Sequence, residues 1–167
     1  IALIEALGAE RAYLVGHDWG ASVVYAASAI APEKIIKLVA LGIPHPAAIV
    51  PTPKILWGIR HFVTHRFPGA VERFAEDDYA QIGLLFKRWS PTWKFGPEDV
   101  EPVREAFKQP GCLDAALGYY RAVPLLLPKW QQRRMAMPTL VFAGLDDPII
   151  APDGYERGRK FADAGYE

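Results

Sequence analysis

The pentapeptide Gly16-His17-Asp18-Trp19-Gly20 constrains this chain more than any other stretch. It follows a short apolar run, Ala12 to Val15, and precedes Ala21 to Ile30, a segment rich in small residues that ends before Pro32. The first reads as a strand buried on both faces and the second as a helix, because proline stops a helix. A second apolar run, Ile35 to Leu41, completes a strand–helix–strand unit of an open parallel sheet. Glycines on either side of Asp18 permit a tight strand-to-helix turn. Such a turn holds the middle residue above the sheet, near a helix N-terminus where partial positive charge favours a carboxylate. The plainer reading is a surface Gly-Asp turn without chemistry; pattern and context together favour a nucleophile.

An aspartate at this position narrows the reaction. A carboxylate can displace a leaving group from saturated carbon and form an alkyl-enzyme ester. A histidine must then activate water to hydrolyse that ester, and the backbone N–H of Trp19 is placed to act as one oxyanion donor. Epoxides and alkyl halides are the obvious electrophiles, with water as the second substrate.

The rest of the 167 residues bound the answer without sharpening it. Hydrophobic residues make up 51%, enough for a core, so disorder is not expected. The formal net charge is zero and no like-charged block appears, which gives no electrostatic case for nucleic acid or an anionic membrane. No apolar run reaches a membrane span and no signal peptide is seen. The single Cys112 excludes an internal disulfide and fits a reducing, cytoplasmic setting. His17, His45, His61 and His65 show no ligand spacing, so no metal is expected, and no phosphate-binding glycine loop suggests a cofactor.

A third apolar run, Thr139 to Ala143, reads as another parallel strand. Between it and the second lies a long stretch with helical spacing. Val71, Phe74, Ala75, Tyr79, Ile82, Leu85, Phe86 and Trp89 form one apolar stripe, and Glu98 to Phe107 and Leu113 to Ala122 read as further helices. The expected organisation is a core over 1–46 and 137–167, interrupted by a helical cap over 47–136. Both ends read as cut. Ile1, Ile4 and Leu7 lie on one face of a helix already under way, with Gly8 as its cap. Arg157 to Ala162 reads as a helix that Gly165 stops.

Four segments in order, Gly16 to Gly20, Ile43-Pro44-His45-Pro46, Tyr119-Tyr120-Arg121 and Gly144-Leu145-Asp146-Asp147-Pro148, resemble the epoxide hydrolase and haloalkane dehalogenase branch of the α/β-hydrolases. The resemblance implies a partial α/β-hydrolase fold of three parallel strands with flanking helices, and a helical cap insertion. It implies Asp18 as nucleophile and Asp147 as the acid of a triad, with Asp146 as the neighbouring alternative and a helix-capping Asp-Asp-Pro turn as the plainer one. It also implies two cap tyrosines that hold the epoxide oxygen. Tyr120 matches the second, with core packing beside Ala116 and Leu117 as its alternative. The first position, seven residues before Pro68-Gly69, holds His61, which can donate a hydrogen bond to an alkoxide or be a partly exposed cap residue.

A histidine at that position resembles fluoroacetate dehalogenases, but their arginines after the nucleophile are replaced here by Trp19 and Ser22, which disfavours a haloacid. Trp19 serves a leaving halide as readily as an epoxide, so haloalkane dehalogenase is the nearest rival. A non-catalytic small-ligand binder on the same scaffold is the rival of another class. Trp57, Trp89, Trp93 and Trp130 read as cap packing. The order nucleophile, acid, histidine places the catalytic histidine after Asp147, where this chain has none, so the chain alone is expected to be inactive; it is also expected to fold poorly, because the strand ending at His17 would lack a sheet partner. No cofactor is implied; the expected partners are a small hydrophobic epoxide or alkyl halide and water.

Overall fold

A computed structural model describes residues 1–124 and 128–167 and, at Trp130, the backbone alone. In chain order its elements are α1 (Ala2–Ala6), β1 (Ala12–His17), α2 (Trp19–Ile30), β2 (Ile35–Leu41), α3 (Pro53–Gly58), α4 (His61–Thr64), α5 (Ala70–Tyr79), α6 (Gln81–Trp89), α7 (Pro97–Lys108), α8 (Cys112–Ala122), β3 (Thr139–Phe142) and α9 (Pro152–Glu156). Contacts divide the chain into two compact units. One comprises Ile1–Val50, Leu126–Leu145 and Ile150–Glu167; the other comprises Pro51–Leu125 and Asp146–Ile149. The second unit thus begins and ends inside the expected span of 47–136, and it gains four residues that follow β3. Packing explains the gain: a Cβ added to Gly58 of α3 would stand only 2.9 Å from the side chain of Ile149.

The first unit is the expected α/β arrangement, a parallel sheet in the order β1-β2-β3. Its register sorts the residues into two faces. Leu14, Leu38 and Thr139 align, as do Gly16, Ala40 and Val141. This face packs with Ala21, Val24 and Tyr25 of α2 and with Met135, Met137 and Tyr166. The opposite face carries Tyr13, Val15 and Phe142, which are 65%, 68% and 52% exposed. The apolar runs of β1 and β3 are therefore covered on one face, not on both as expected. β2, flanked by a strand on each side, has three buried residues, Ile35, Leu38 and Ala40, against one each in β1 and β3.

Beyond β3, the Thr139 and Val141 amides donate to the carbonyls of Gly165 and Glu167, and the Glu167 amide donates to Thr139. The last residues thus run parallel to β3, with Thr139 opposite Tyr166. Arg157 to Ala162, expected as an α-helix, is instead a 3-10 turn over Arg157–Phe161 that follows α9. At the other end Leu7 closes α1 and Gly8 takes the left-handed conformation (φ 72°) that such a helix stop favours.

In the second unit the apolar stripe is present but divided between two helices. Glu76 leaves the helix (ψ 148°), and Asp77, Asp78 and Tyr79 have φ of 51°, 51° and 63°. Across this kink Phe74 of α5 and Ile82 and Leu85 of α6 still share one core with Leu113 and Leu117 of α8. Asp78 is tied to α7 by ion pairs to Arg104 at 2.5 Å and Lys108 at 3.6 Å, which gives the reversed turn a fixed direction. Among the described residues no helix is long and apolar enough to cross a membrane.

Candidate active site

In the first unit the turn after β1 is strained where the motif suggests it should be. Asp18 has φ 51° and ψ −115°, a conformation that costs a non-glycine residue about 1–3 kcal/mol. Gly16 makes it necessary. A Cβ there would sit 2.2 Å from the carbonyl oxygen of Gly20 and 2.7 Å from the amide nitrogen of Ala21, so helix and strand meet backbone to backbone. The ladder continues into the turn, with the Asp18 amide donating to Leu41 O at 3.2 Å, and α2 starts at once, with the Ser22 amide donating to Asp18 O at 3.2 Å. Asp18 holds the N-cap position of α2, yet its carboxylate makes no capping bond and lies exposed at the helix N-terminus. A plain N-cap aspartate would use its side chain there. Trp19 is the first residue of α2 and half-buried.

The second unit brings His61 and Tyr120 together. Tyr120, on α8, meets the rings of His61 (5.4 Å), Phe62 (5.2 Å) and His65 (4.9 Å) edge to face. His61 is 6% exposed, so it is a buried residue and not the partly exposed one considered above. Its Nδ1 lies 3.2 Å from Gly58 O. A carbonyl only accepts, so Nδ1 carries the proton and Nε2 is left as an acceptor in the neutral ring. Burial, then the positive charge of Arg88 and the neighbouring His65, hold its pKa down to about 4. Considered above as a donor to an alkoxide, His61 instead presents an acceptor near neutral pH.

Asp147 also belongs to the second unit. Its Oδ1 accepts the Ile149 amide at 2.7 Å, which fixes the carboxylate's orientation, while Asp146 beside it is exposed. Of the tryptophans, Trp89 packs on His61 at 5.3 Å, and Trp93 packs on Phe86 and Phe95. Trp57 is 70% exposed under the Arg60 guanidinium, and the Trp130 side chain lies outside the described residues. His45 of the first unit is structural. It is 2% exposed, its Nδ1 accepts the Ala47 amide at 3.2 Å and its Nε2 donates to Arg133 O at 3.1 Å, and burial depresses its pKa. Among the described residues no cluster of three His, Cys, Asp or Glu is placed to hold a metal ion. Sequence reasoning did not single out His65, Phe62 and Arg88 as companions of Tyr120. The one local signal was the spacing of His65 four residues after His61.

Two outcomes follow from this geometry. Gly16→Ala should destabilise the protein by about 3 kcal/mol, since overpacking at a backbone contact cannot relax. Gly20→Ala, with no atom within 4 Å of the added Cβ, should be neutral or slightly stabilising; equal losses in urea melts would refute this account of the turn. His61 generates a pH dependence. Its folded pKa, about 4, lies below the unfolded value near 6.5, so its contribution is complete above pH 6.5. It is lost as pH falls toward 4, in all by roughly 3 kcal/mol. Between pH 6.5 and 4 the His61→Phe protein should take up about one proton fewer on unfolding than the unmodified protein, measured from the two stability–pH curves.

A family model for the alpha/beta hydrolase fold matches residues 2–164. The AB hydrolase superfamily protein YfhM of Bacillus subtilis is 35% identical over 130 residues, covering 74% of this chain and 45% of that protein. Epoxide hydrolase 4 of Mus musculus is 28% identical over 158 residues, covering 89% of this chain and 44% of that protein. The chain therefore spans less than half the length of these two relatives. Among solved structures, a variant of an epoxide hydrolase from Bacillus megaterium matches with a TM-score of 0.76 at 19% identity, over 99% of this chain and 63% of that one. At that identity the likeness speaks for the fold. The family model, over nearly the whole chain, shows that the chain belongs to the alpha/beta hydrolase fold family.

Proposed function

We propose that the intact protein hydrolyses epoxides through a covalent ester on Asp18. The observation that carries this reading is the uncommitted carboxylate of Asp18, held at φ 51° on the strand-to-helix turn. A carboxylate oxygen attacks an epoxide carbon; the C–O bond of the ring breaks and its electron pair stays on oxygen as an alkoxide. The Tyr120 hydroxyl gives that alkoxide its proton. Water then adds to the ester carbonyl while a histidine takes its proton, and the backbone N–H of Trp19 stabilises the oxyanion. Collapse releases the diol and restores the Asp18 carboxylate, and the proton returns to Tyr120. We assign the histidine to polypeptide beyond this chain, oriented by Asp147, whose carboxylate the Ile149 amide already steadies. His61 enters as an acceptor and a packing partner of Tyr120, not as a second donor. In this reading unit 1 (Ile1–Val50, Leu126–Leu145, Ile150–Glu167) carries the nucleophile, and unit 2 carries the cap helices together with the Asp147 segment.

The ester step is tested directly with the full-length protein. Turnover in heavy-oxygen water should place label in the peptide containing Asp18, seen by mass spectrometry, and Asp18→Asn should abolish the initial activity. Label found only in product over repeated turnovers would remove Asp18 as nucleophile. Tyr120→Phe should slow epoxide opening by about 10²–10³, as loss of an oxyanion donor does, because an alkoxide is a strong base that needs a proton. The same variant should leave turnover of an alkyl chloride far less affected, since chloride leaves without one. Equal rates for both proteins on an epoxide would exclude Tyr120 from the mechanism, and an alkyl halide turned over faster than any epoxide would favour dehalogenation.

A further inference from the structure

The formal charge of the chain is zero as a whole but not in its parts. Between Glu33 and Glu72 there is no acidic residue, while Lys54, Arg60 and Arg66 lie in and beside α3 and α4. That stretch is also apolar on two sides. Thr52 starts it by accepting the Ile55 amide at 3.2 Å, and Pro53 stands at the first helical position, where a missing N–H costs nothing. The Ile59 amide donates to Ile55 O and the Thr64 amide to Arg60 O, which carries the helical turn across the junction of α3 and α4. The inner side is taken. Ile55 is buried, Gly58 lies against Ile149, His61 against Trp89 and Tyr120, and His65 against Phe74. Leu56, Val63 and Phe67, spaced at i, i+7 and i+11, lie on the outer side with Trp57, and each of the four is more than half exposed. A helical stretch that is apolar all round is normally covered all round, and an exposed apolar patch marks a surface that meets something.

We propose that the outer side of α3 and α4 docks on an anionic lipid surface. Charge is what selects a lipid over an uncharged apolar cover. Arg60, four residues after Leu56, stacks on Trp57 with its guanidinium carbon 4.3 Å from the ring centre and donates to Trp57 O at 2.6 Å. Lys54 is exposed three residues before Trp57, and Arg66 stands next to Phe67. Behind the patch the field is positive as well, since Arg88 and Arg60 act on His61, and Arg88 and Arg73 on His65. A bilayer interface satisfies both features at once. The four apolar side chains enter the acyl boundary while the cations reach the phosphates, and the long arginine and lysine stems let one helix do both. A protein partner would have to bring apolar surface and acidic groups in the same pattern. The stretch is short, so the attachment is reversible and not an anchor. Nothing in this inference depends on the roles of Asp18 or Tyr120.

The test uses the full-length protein and two kinds of vesicle, phosphatidylcholine alone and phosphatidylcholine with about 30% phosphatidylserine. Cosedimentation should show binding to the mixed vesicles, much weaker binding to the neutral ones, and release when salt is raised from about 0.1 M to about 1 M. Replacing Lys54 and Arg66 together by Glu should weaken binding to the mixed vesicles about tenfold or more. Replacing Trp57 and Phe67 together by Ser should do the same through lost apolar contact. Leu84→Ser, at an exposed apolar position on α6, should change nothing. Phosphatidylcholine brominated on its acyl chains should quench tryptophan emission in the bound protein. Trp57→Phe, which keeps the face apolar, should still bind but lose most of that quenching. Equal binding to the two vesicles, binding to neither, or binding that ignores both double substitutions overturns the proposal. So does quenching that survives Trp57→Phe, or a Trp57 shielded from iodide before lipid is added, which would mean that the remaining polypeptide or a second copy covers this face.

Discussion

The backbone contact between Gly16 and the Gly20 carbonyl is the constraint on which the rest of the site depends. It brings the end of β1 against the first turn of α2 with no room for a side chain. The chain must reverse within one residue, and Asp18 takes a conformation that an aspartate does not choose freely. The packing around it keeps that strain in place. Ala21, Ile35, Leu38 and Ala40 are wholly buried between α2 and the sheet, and relaxing the turn would pull that layer apart. The same strain keeps the carboxylate off the helix amides, so a group that would ordinarily cap α2 is left for chemistry.

Electrostatics in the second unit work by exclusion. Burial and nearby guanidinium groups keep His61 and His65 uncharged. A neutral His61 whose Nδ1 proton goes to Gly58 O turns a lone pair, not a proton, outward from Nε2. One backbone carbonyl therefore decides the polarity of an imidazole that sequence position alone would offer as a donor. His45 illustrates the same rule in the first unit, where two backbone partners consume both ring nitrogens and leave a structural residue. Charge is carried instead by Arg88, whose field reaches the imidazoles and the phenol of Tyr120.

The kink between α5 and α6 and the Asp146–Ile149 segment show how the second unit is fastened. The stripe from Val71 to Trp89 keeps its helical period on both sides of the kink, so its apolar residues still meet in one core. What the period does not contain is the reversal at Asp77 and Asp78, which ion pairs to Arg104 and Lys108 hold from another helix. Gly58 likewise makes room for Ile149, ninety-one positions along the chain, and so places the Asp147 turn with the helical unit.

By itself the sequence determined what local rules govern. The Gly-x-Asp-x-Gly turn, the strand–helix–strand unit around it and the helices of the insertion follow from spacing and from residues a few positions apart, because backbone sterics and helical period act at that range; the family came from the resemblance of four motif segments. Only the tertiary structure decided the environments of the polar groups. The one-sided burial of β1 and β3, the proton on His61 Nδ1, the seat of Asp147 and the unpartnered Nε of Arg88 are set by neighbours distant in the chain. Desolvation and Coulomb energy depend on distance in space, and the chain's order does not encode which side chains will share a dry pocket until the core that dries it has formed.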